Sequence, residues 1–164
     1  MYSKKVSFMT QSAIIAALYV ALTYLAFSFN LANGPIQVRF SEALAILPYF
    51  TPAAIPGLFI GCLLSNILTG CVIWDIIFGS TATLLGALIL YGTRKFCPRW
   101  LACLPNIVSN SVIVPFVLIY AYGVEGSYYI NLASVLLGEI LSCGVMGTAL
   151  LFCLEKYKHI IFKK

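Results

Sequence analysis

Four charged residues lie inside or at the edge of strongly apolar stretches of this chain, and their types determine which chemistry to consider. They are Arg39, Glu42, Asp75 and Glu139. A charge at membrane depth costs about 2.5–3.5 kcal/mol on insertion scales, so such residues usually face a cavity or one another. Three carboxylates against one guanidinium leave a surplus of negative charge. That surplus favours a cationic ligand, or one rich in hydrogen-bond donors.

Three amides near these charges extend the predicted binding site: Gln37, Asn66 and Asn110. A fourth amide, Asn106, lies beside Pro105 near the start of its apolar run, nearer the inner side of the membrane than Asn110 is. It is therefore interpreted as a helix-packing residue. One alternative stays open for the arginine. Arg39 would then pair with Glu42 or Asp75 simply to hold two helices together, without binding a ligand.

The composition indicates where these residues must reside. Of the 164 residues, 62% are hydrophobic and 9% are charged, whereas soluble domains are roughly 45–50% apolar and about 25% charged. A soluble enzyme, a nucleic-acid-binding module and a disordered chain are therefore excluded. A transmembrane helix needs about 20 apolar residues, so the length allows at most six spans. The chain has no G-x-x-x-x-G-K-[ST] loop, which predicts that it does not hydrolyse ATP itself.

Nine of the ten basic residues fall into three clusters separated by apolar sequence. The clusters are Lys4 and Lys5; Arg94, Lys95 and Arg99; and Lys156, Lys158, Lys163 and Lys164. The positive-inside rule places all three in the cytoplasm. An even number of membrane crossings must then separate neighbouring clusters.

Six apolar runs satisfy this requirement, at about residues 8–29, 39–50, 53–69, 72–91, 101–121 and 128–154. The predicted fold is a single all-α integral membrane domain over residues 1–164, with six transmembrane helices and both termini cytoplasmic. The second run reaches about 18 Å at 1.5 Å per residue, so it is predicted to be a short or tilted span. The first run exceeds the roughly 7–15 residues of a signal-peptide core, so it is interpreted as a transmembrane helix.

This topology brings the four charges to similar depths. Arg39 and Glu42 begin the second helix at its outer end, and a spacing of three places them on one face. Asp75 follows the outer end of the fourth helix. Glu139 lies roughly 16 Å below the outer surface on the sixth helix. We expect the four side chains to line a pocket in the outer half of the bundle that opens to the outside.

Metal binding and catalysis are not predicted. The six cysteines form no C-x-x-C motif, and the single histidine, His159, lies in the basic tail. A zinc site needs clustered cysteine and histidine ligands, and nucleophilic catalysis needs a nucleophile beside a base. The sequence therefore predicts no metal, no cofactor and no catalytic residue.

Small residues at helical spacing indicate close helix packing. Ala13, Ala17 and Ala21 form a flat strip on the first helix, against which another helix can pack. That helix belongs either to the same bundle or to a separate membrane subunit. For Gly57 and Gly61 on the third helix, packing within the bundle is the preferred interpretation.

Two segments resemble the QueT family. Residues 35–44 read PIQVRFSEAL and continue to Leu47-Pro48, and residues 57–66 are followed by WDIIFGSTATL at residues 74–84. The resemblance covers nearly the whole chain in length and helix order, and is strongest between Gln37 and Leu85. QueT proteins are substrate-binding S components of energy-coupling factor (ECF) transporters for queuosine precursors.

The resemblance implies an S-component fold in a prokaryotic plasma membrane, with an outward-facing site for a deazapurine. It also implies three partner proteins: a transmembrane T subunit and two ATPase subunits. Ala13, Ala17 and Ala21 match the motif by which S components dock on the T subunit. No nucleic-acid partner is implied.

The implied ligand suits the charges. In aminomethyl-deazaguanine, the guanine-like edge can donate two hydrogen bonds to a carboxylate, and the aminomethyl group is cationic. We expect Glu139 or Glu42 to bind the edge, and Asp75 or the other glutamate to meet the ammonium. Arg39 would orient a carboxylate or donate to the ring carbonyl, and Trp74 or Phe40 would stack on the base.

The predicted substrate-binding residues are Gln37, Arg39, Glu42, Asn66, Trp74, Asp75, Asn110 and Glu139. The precursor with a nitrile group, queuine, and another vitamin or nitrogenous base remain alternative ligands.

Overall fold

The computed structural model describes residues 2–29, 38–124 and 126–161, and within these ranges six helices follow the six predicted apolar runs. They are α1 (Tyr2–Ser28), α2 (Phe40–Tyr49), α3 (Ala54–Leu68), α4 (Ile73–Thr93), α5 (Leu104–Tyr120) and α6, which joins Tyr128–Glu139, Ile140–Gly147 and Thr148–Ile161. A short 3₁₀ turn, Arg99–Leu101, precedes α5. The predicted all-α class is confirmed.

Four of these helices are long and apolar enough to cross a membrane: Lys4–Ser28, Ile73–Thr93, Arg99–Tyr120 and Tyr128–Lys158. The remaining apolar α-helix, α3, has 15 residues and extends about 22 Å. The chain is therefore a multi-pass membrane protein.

Helix α2 is a 3₁₀ helix at the centre of the bundle. Its residues 41–48 are all buried, and it packs against α1, α4 and α6. A 3₁₀ helix rises about 2.0 Å per residue, so the ten residues extend about 20 Å. The second helix is short, as predicted, but it is a 3₁₀ helix, whereas the predicted length of about 18 Å assumes an α-helix. Burial on every side agrees with a helix that is apolar around nearly its whole circumference.

Two glycines bring α3 into contact with α1. A Cβ atom on Gly61 would lie 2.7 Å from Tyr19 Cβ, closer than atoms can pack, and 3.1 Å from Ala16 Cα, which is a tight contact. A Cβ atom on Gly57 would lie 2.8 Å from the Ser12 carbonyl oxygen. These glycines therefore pack within the bundle, as the sequence suggested.

Helix α6 changes its geometry where it passes α2. Its middle segment, Ile140–Gly147, is π-helical and begins directly after Glu139. A Cβ atom on Gly147 would lie 3.3 Å from the Ala43 carbonyl oxygen, so a glycine allows α2 to approach here. Segments of π-helix inside α-helices frequently occur at functional sites, and this one adjoins a buried carboxylate.

Candidate ligand-binding site

A cavity of about 370 Å³ lies among α1, the start of α2, α3, α4, α5 and the loop after α5. The polar side chains that line it include Thr23, Arg39, Asn66, Thr69, Asp75 and Tyr122. Ligand pockets usually measure roughly 300–1,000 Å³. This cavity is therefore of a size for a small ligand.

Asp75 is the acidic residue on the cavity wall, and it is 4% exposed. Its Oδ2 atom accepts a 3.0 Å hydrogen bond from Tyr122 Oη and lies 4.0 Å from Arg39 Nη2. Asp75 also lies in the first turn of α4, where the helix dipole favours a negative charge. Its Oδ1 atom has no hydrogen-bond partner within the described residues. The carboxylate on the cavity wall thus has one buried oxygen atom without a donor among the described residues.

Tyr122 is fixed by two contacts at once. Its Oη atom accepts a 3.3 Å hydrogen bond from the Val72 amide and donates to Asp75. Gly123 follows with φ +63°, a left-handed conformation that lets the chain turn away immediately after the tyrosine. Burial and the Asp75 carboxylate raise the pKa of the Tyr122 phenol, so it stays protonated and donates at neutral pH.

Four buried residues form a second group, which we call the inner cluster: Tyr19, Glu42, Asn106 and Glu139. Tyr19 Oη donates to Glu42 Oε1. Asn106 Nδ2 lies 2.8 Å from Glu42 Oε2 and 3.4 Å from Glu139 Oε2, so one amide group bridges two carboxyl groups. Glu42 is 2% exposed and Glu139 is 8% exposed. The inner cluster joins α1, α2, α5 and α6.

Arg39 connects the cavity to the inner cluster. Its side chain pairs with Asp75, while its backbone N–H group donates a 3.0 Å hydrogen bond to Ser142 Oγ on the π-helical segment of α6. Glu42 lies three residues further along the chain, and its own N–H group donates to the Arg39 carbonyl oxygen at 3.1 Å. Within the described residues, the site therefore combines one guanidinium with three buried carboxyl groups.

The structure brings most of the predicted residues together. Arg39, Asn66 and Asp75 line the cavity, and Glu42 and Glu139 belong to the inner cluster. The buried Asn110 lies beside the Glu139 carboxyl group, although its Nδ2 atom makes no hydrogen bond of normal geometry within the described residues. The prediction for Gln37 lies outside the described residues.

Trp74 is not among the residues that line the cavity, so the structure does not bring it together with the other predicted binding residues. It is 53% exposed, and its ring stacks on Phe78 with centroids 6.0 Å apart. Both side chains line an apolar groove that lies between α4 and α5. Adjacent positions on a helix differ by about 100° in direction, so Trp74 faces outward where Asp75 faces inward.

Sequence reasoning missed three residues of the site: Tyr19, Asn106 and Tyr122. A signal was present for Asn106, because it precedes Asn110 by four residues and so shares its helix face. A signal was also present for Tyr19, because its spacing of two residues from Ala17 and from Ala21 places it on the opposite face of α1. Tyr122 gave no such signal, since tyrosines at helix ends are common in membrane proteins.

Within the described residues, no group of three or more histidine, cysteine or acidic side chains is arranged to hold a metal ion. The site therefore consists of the hydrogen-bonding and charged side chains that line the cavity and of the buried inner cluster, whose four residues are not part of the cavity lining.

Comparison with known proteins places the chain in a family. Residues 9–156 match the family model described as QueT transporter. A curated relative, the queuosine precursor transporter QueT of Lactococcus lactis subsp. cremoris (strain MG1363), is 41% identical over 73 residues. That match spans 44% of this chain and 43% of the relative, less than half of each. No solved structure matches the chain.

Proposed function

The chain belongs to the QueT transporter family, and we propose that it is the substrate-binding S component of an ECF importer for a queuosine precursor. QueT is a transporter family, so the chain is not an enzyme. Its proposed ligand is a deazaguanine base such as aminomethyl-deazaguanine. On this proposal the cavity opens to the outside of a prokaryotic cell, both termini lie in the cytoplasm, and partner subunits supply ATP-driven uptake.

The observation that carries this proposal is the Asp75 carboxylate on the cavity wall, whose Oδ1 atom has no hydrogen-bond partner within the described residues. An unsatisfied buried acceptor costs about 1–3 kcal/mol, and a ligand that donates a hydrogen bond there would recover that energy. Arg39 approaches Oδ2 only to 4.0 Å, so the Asp75 carboxylate is incompletely paired and favours a ligand group that donates hydrogen bonds or carries a positive charge. The aminomethyl ammonium has this chemistry.

Glu139 suits the guanine-like edge better than Glu42 does. Both Glu42 oxygens already have donors within the protein, Tyr19 and Asn106. Glu139 receives the longer of the two Asn106 hydrogen bonds, at 3.4 Å, and is less completely buried than Glu42. A carboxylate with free acceptor sites can take two parallel hydrogen bonds from a ring N–H and an exocyclic amine. We therefore assign Asp75 to the ammonium and Glu139 to the base edge.

Isothermal titration calorimetry of the purified chain with aminomethyl-deazaguanine tests this assignment. Asp75→Asn and Glu139→Gln should each weaken binding by about tenfold or more, because each removes a charged acceptor. Glu155→Gln is the matched control, since Glu155 pairs with Arg99 and Lys158 at the basic clusters. Unchanged affinity in Glu42→Gln, Asp75→Asn and Glu139→Gln would show that the carboxylates do not form the binding site.

A second part of the proposal concerns the T subunit. Ala13, Ala17 and Ala21 are exposed, while Ala16 on the same helix faces α3. α1 thus packs into the bundle through one face, and the alanine strip on its other face is exposed among the described residues. Small residues at this spacing allow another membrane helix to approach closely. We propose that the T subunit docks on this strip.

Co-purification with the T subunit tests the strip. Ala17→Trp should block co-purification and leave ligand affinity unchanged, because the substitution lies on the face away from the site. Ala149→Trp, at an exposed position of α6, controls for a bulky residue on the bundle surface. Simultaneous loss of ligand binding and co-purification in Ala17→Trp would instead indicate that the strip is needed for folding.

A further inference from the structure

Tyr19 connects the docking helix to the buried carboxylates. The residue is 1% exposed, and its phenol donates to Glu42 across the contact between α1 and α2. Ala17 and Ala21, two residues away on either side, point in roughly the opposite direction, since each step along the helix turns by about 100°. One helix therefore carries the free strip on one face and a hydrogen bond to the inner cluster on the other.

Glu42 also accepts a hydrogen bond from Asn106. Its Oε1 atom accepts from Tyr19 and its Oε2 atom accepts from Asn106 Nδ2 at 2.8 Å. With donors on both oxygens, the carboxylate has a fixed orientation. The Asn106 amide, held by this shorter bond, then reaches Glu139 Oε2 at 3.4 Å. The position of the Glu139 carboxyl group thus depends on an amide that Glu42 orients.

We propose that Tyr19 is a positioning residue for the ligand, acting through Glu42 and Asn106 to hold Glu139 where it meets the base. This inference rests on the proposed function, because it requires a ligand at Glu139. Tyr19 itself does not touch the ligand. Its hydroxyl group sets the geometry of the carboxylate at the far end of the chain of hydrogen bonds, and so makes α1 part of the support of the site.

Tyr19→Phe removes the hydroxyl group and keeps both the aromatic ring and the Cβ atom, which packs against Gly61. Calorimetry with aminomethyl-deazaguanine should show binding weakened about tenfold, which corresponds to about 1.4 kcal/mol. Tyr24→Phe is the matched control, because it removes a phenol from the same helix that donates to the Leu68 carbonyl oxygen instead. The control should change affinity by less than about twofold.

A double-mutant cycle separates positioning from general loosening of the fold. Residues that act through one another give non-additive effects, whereas independent residues give additive ones. Because Tyr19 acts through Glu139, Tyr19→Phe should cause no further loss of affinity in the Glu139→Gln background. Additive losses would overturn the inference.

Asn106→Ala breaks the same chain of hydrogen bonds one step later. It should show the same non-additivity with Glu139→Gln. If Tyr19→Phe does not yield folded protein, this second cycle tests whether the chain of hydrogen bonds positions Glu139. Failure of the wild-type chain to bind the base would overturn the proposed function, and this inference with it. Wild-type binding combined with additive cycles would overturn the role of Tyr19 alone.

Discussion

Tyr122 Oη donates a 3.0 Å hydrogen bond to Asp75 Oδ2, between residues 47 positions apart in the chain. Arg39 approaches the same oxygen, at 4.0 Å. The two side chains hold the carboxylate from one side and leave its other oxygen, Oδ1, without a protein donor within the described residues. The loop after α5 therefore orients the acidic residue at the start of α4.

The first prediction concerns the ionisation of Tyr122. Burial and the Asp75 carboxylate raise the pKa of this phenol above the ordinary value of 10.0. Because the folded-state pKa lies above the unfolded one, the contact stabilises the fold fully below about pH 10 and is lost as pH rises through the raised pKa. Comparing the tyrosinate absorbance of wild type and Tyr122→Phe should reveal a tyrosine that ionises above pH 10.

Asp75→Asn provides the control for that titration. The Asp75 carboxylate is one of the causes that raise the pKa of the Tyr122 phenol. Without it, Tyr122 should therefore ionise at a lower pH than in the wild type. A Tyr122 that titrates like a free tyrosine in the wild-type chain would contradict the hydrogen bond.

The second prediction uses two glycines of α4. A Cβ atom on Gly79 would lie 3.0 Å from Asp75 Oδ1 and 3.3 Å from Asn66 Nδ2, so Gly79→Ala pushes on the carboxylate and on the amide beside it. Ligand affinity measured by calorimetry should fall by about tenfold. A Cβ atom on Gly92 would meet no atom within 4 Å. Gly92→Ala should therefore leave ligand affinity unchanged. An equal loss of affinity in Gly79→Ala and Gly92→Ala would exclude a local effect on Asp75.

The third prediction concerns the contact between α1 and α3. Gly61→Ala places a methyl group against the backbone of Ala16 and the Cβ atom of Tyr19, which must move apart. Overpacking of this kind costs about 1–3 kcal/mol, so the thermal unfolding temperature in detergent should fall. At Gly144 the nearest atoms lie at 3.7 Å, an ordinary contact. Gly144→Ala should unfold close to the wild-type temperature, and an equally stable Gly61→Ala would show that α1 and α3 are not closely packed.

The helices could be predicted because membrane burial imposes a simple pattern. Apolar runs bounded by basic clusters, by prolines or by short polar turns have few other structures available. The boundaries of α3 and α4 accordingly fall within two residues of those predicted. The 3₁₀ geometry of α2 and the π-helical segment of α6 could not be predicted, because each depends on packing against the other.

The acidic residues of the site could be predicted for the same reason, since a charge at membrane depth stands out in the sequence. Their hydrogen-bond partners could not. Tyr19, Asn106 and Tyr122 are residue types that usually pack at helix contacts or lie at membrane interfaces, and only the tertiary structure brings them to the carboxylates. The direction of Trp74 likewise depends on how α4 rotates when Asp75 is buried.

The last prediction separates these two neighbours. Trp74 stacks on Phe78 in the groove between α4 and α5, so Trp74→Ala should change the affinity for aminomethyl-deazaguanine by less than about twofold. Asp75→Asn, one position along the helix, should lower it by about tenfold or more. Calorimetry on the two variants compares side chains that share a backbone segment but point in different directions. A large loss in Trp74→Ala with a small one in Asp75→Asn would mean that the ligand binds in the apolar groove, because only there could the indole ring contact it.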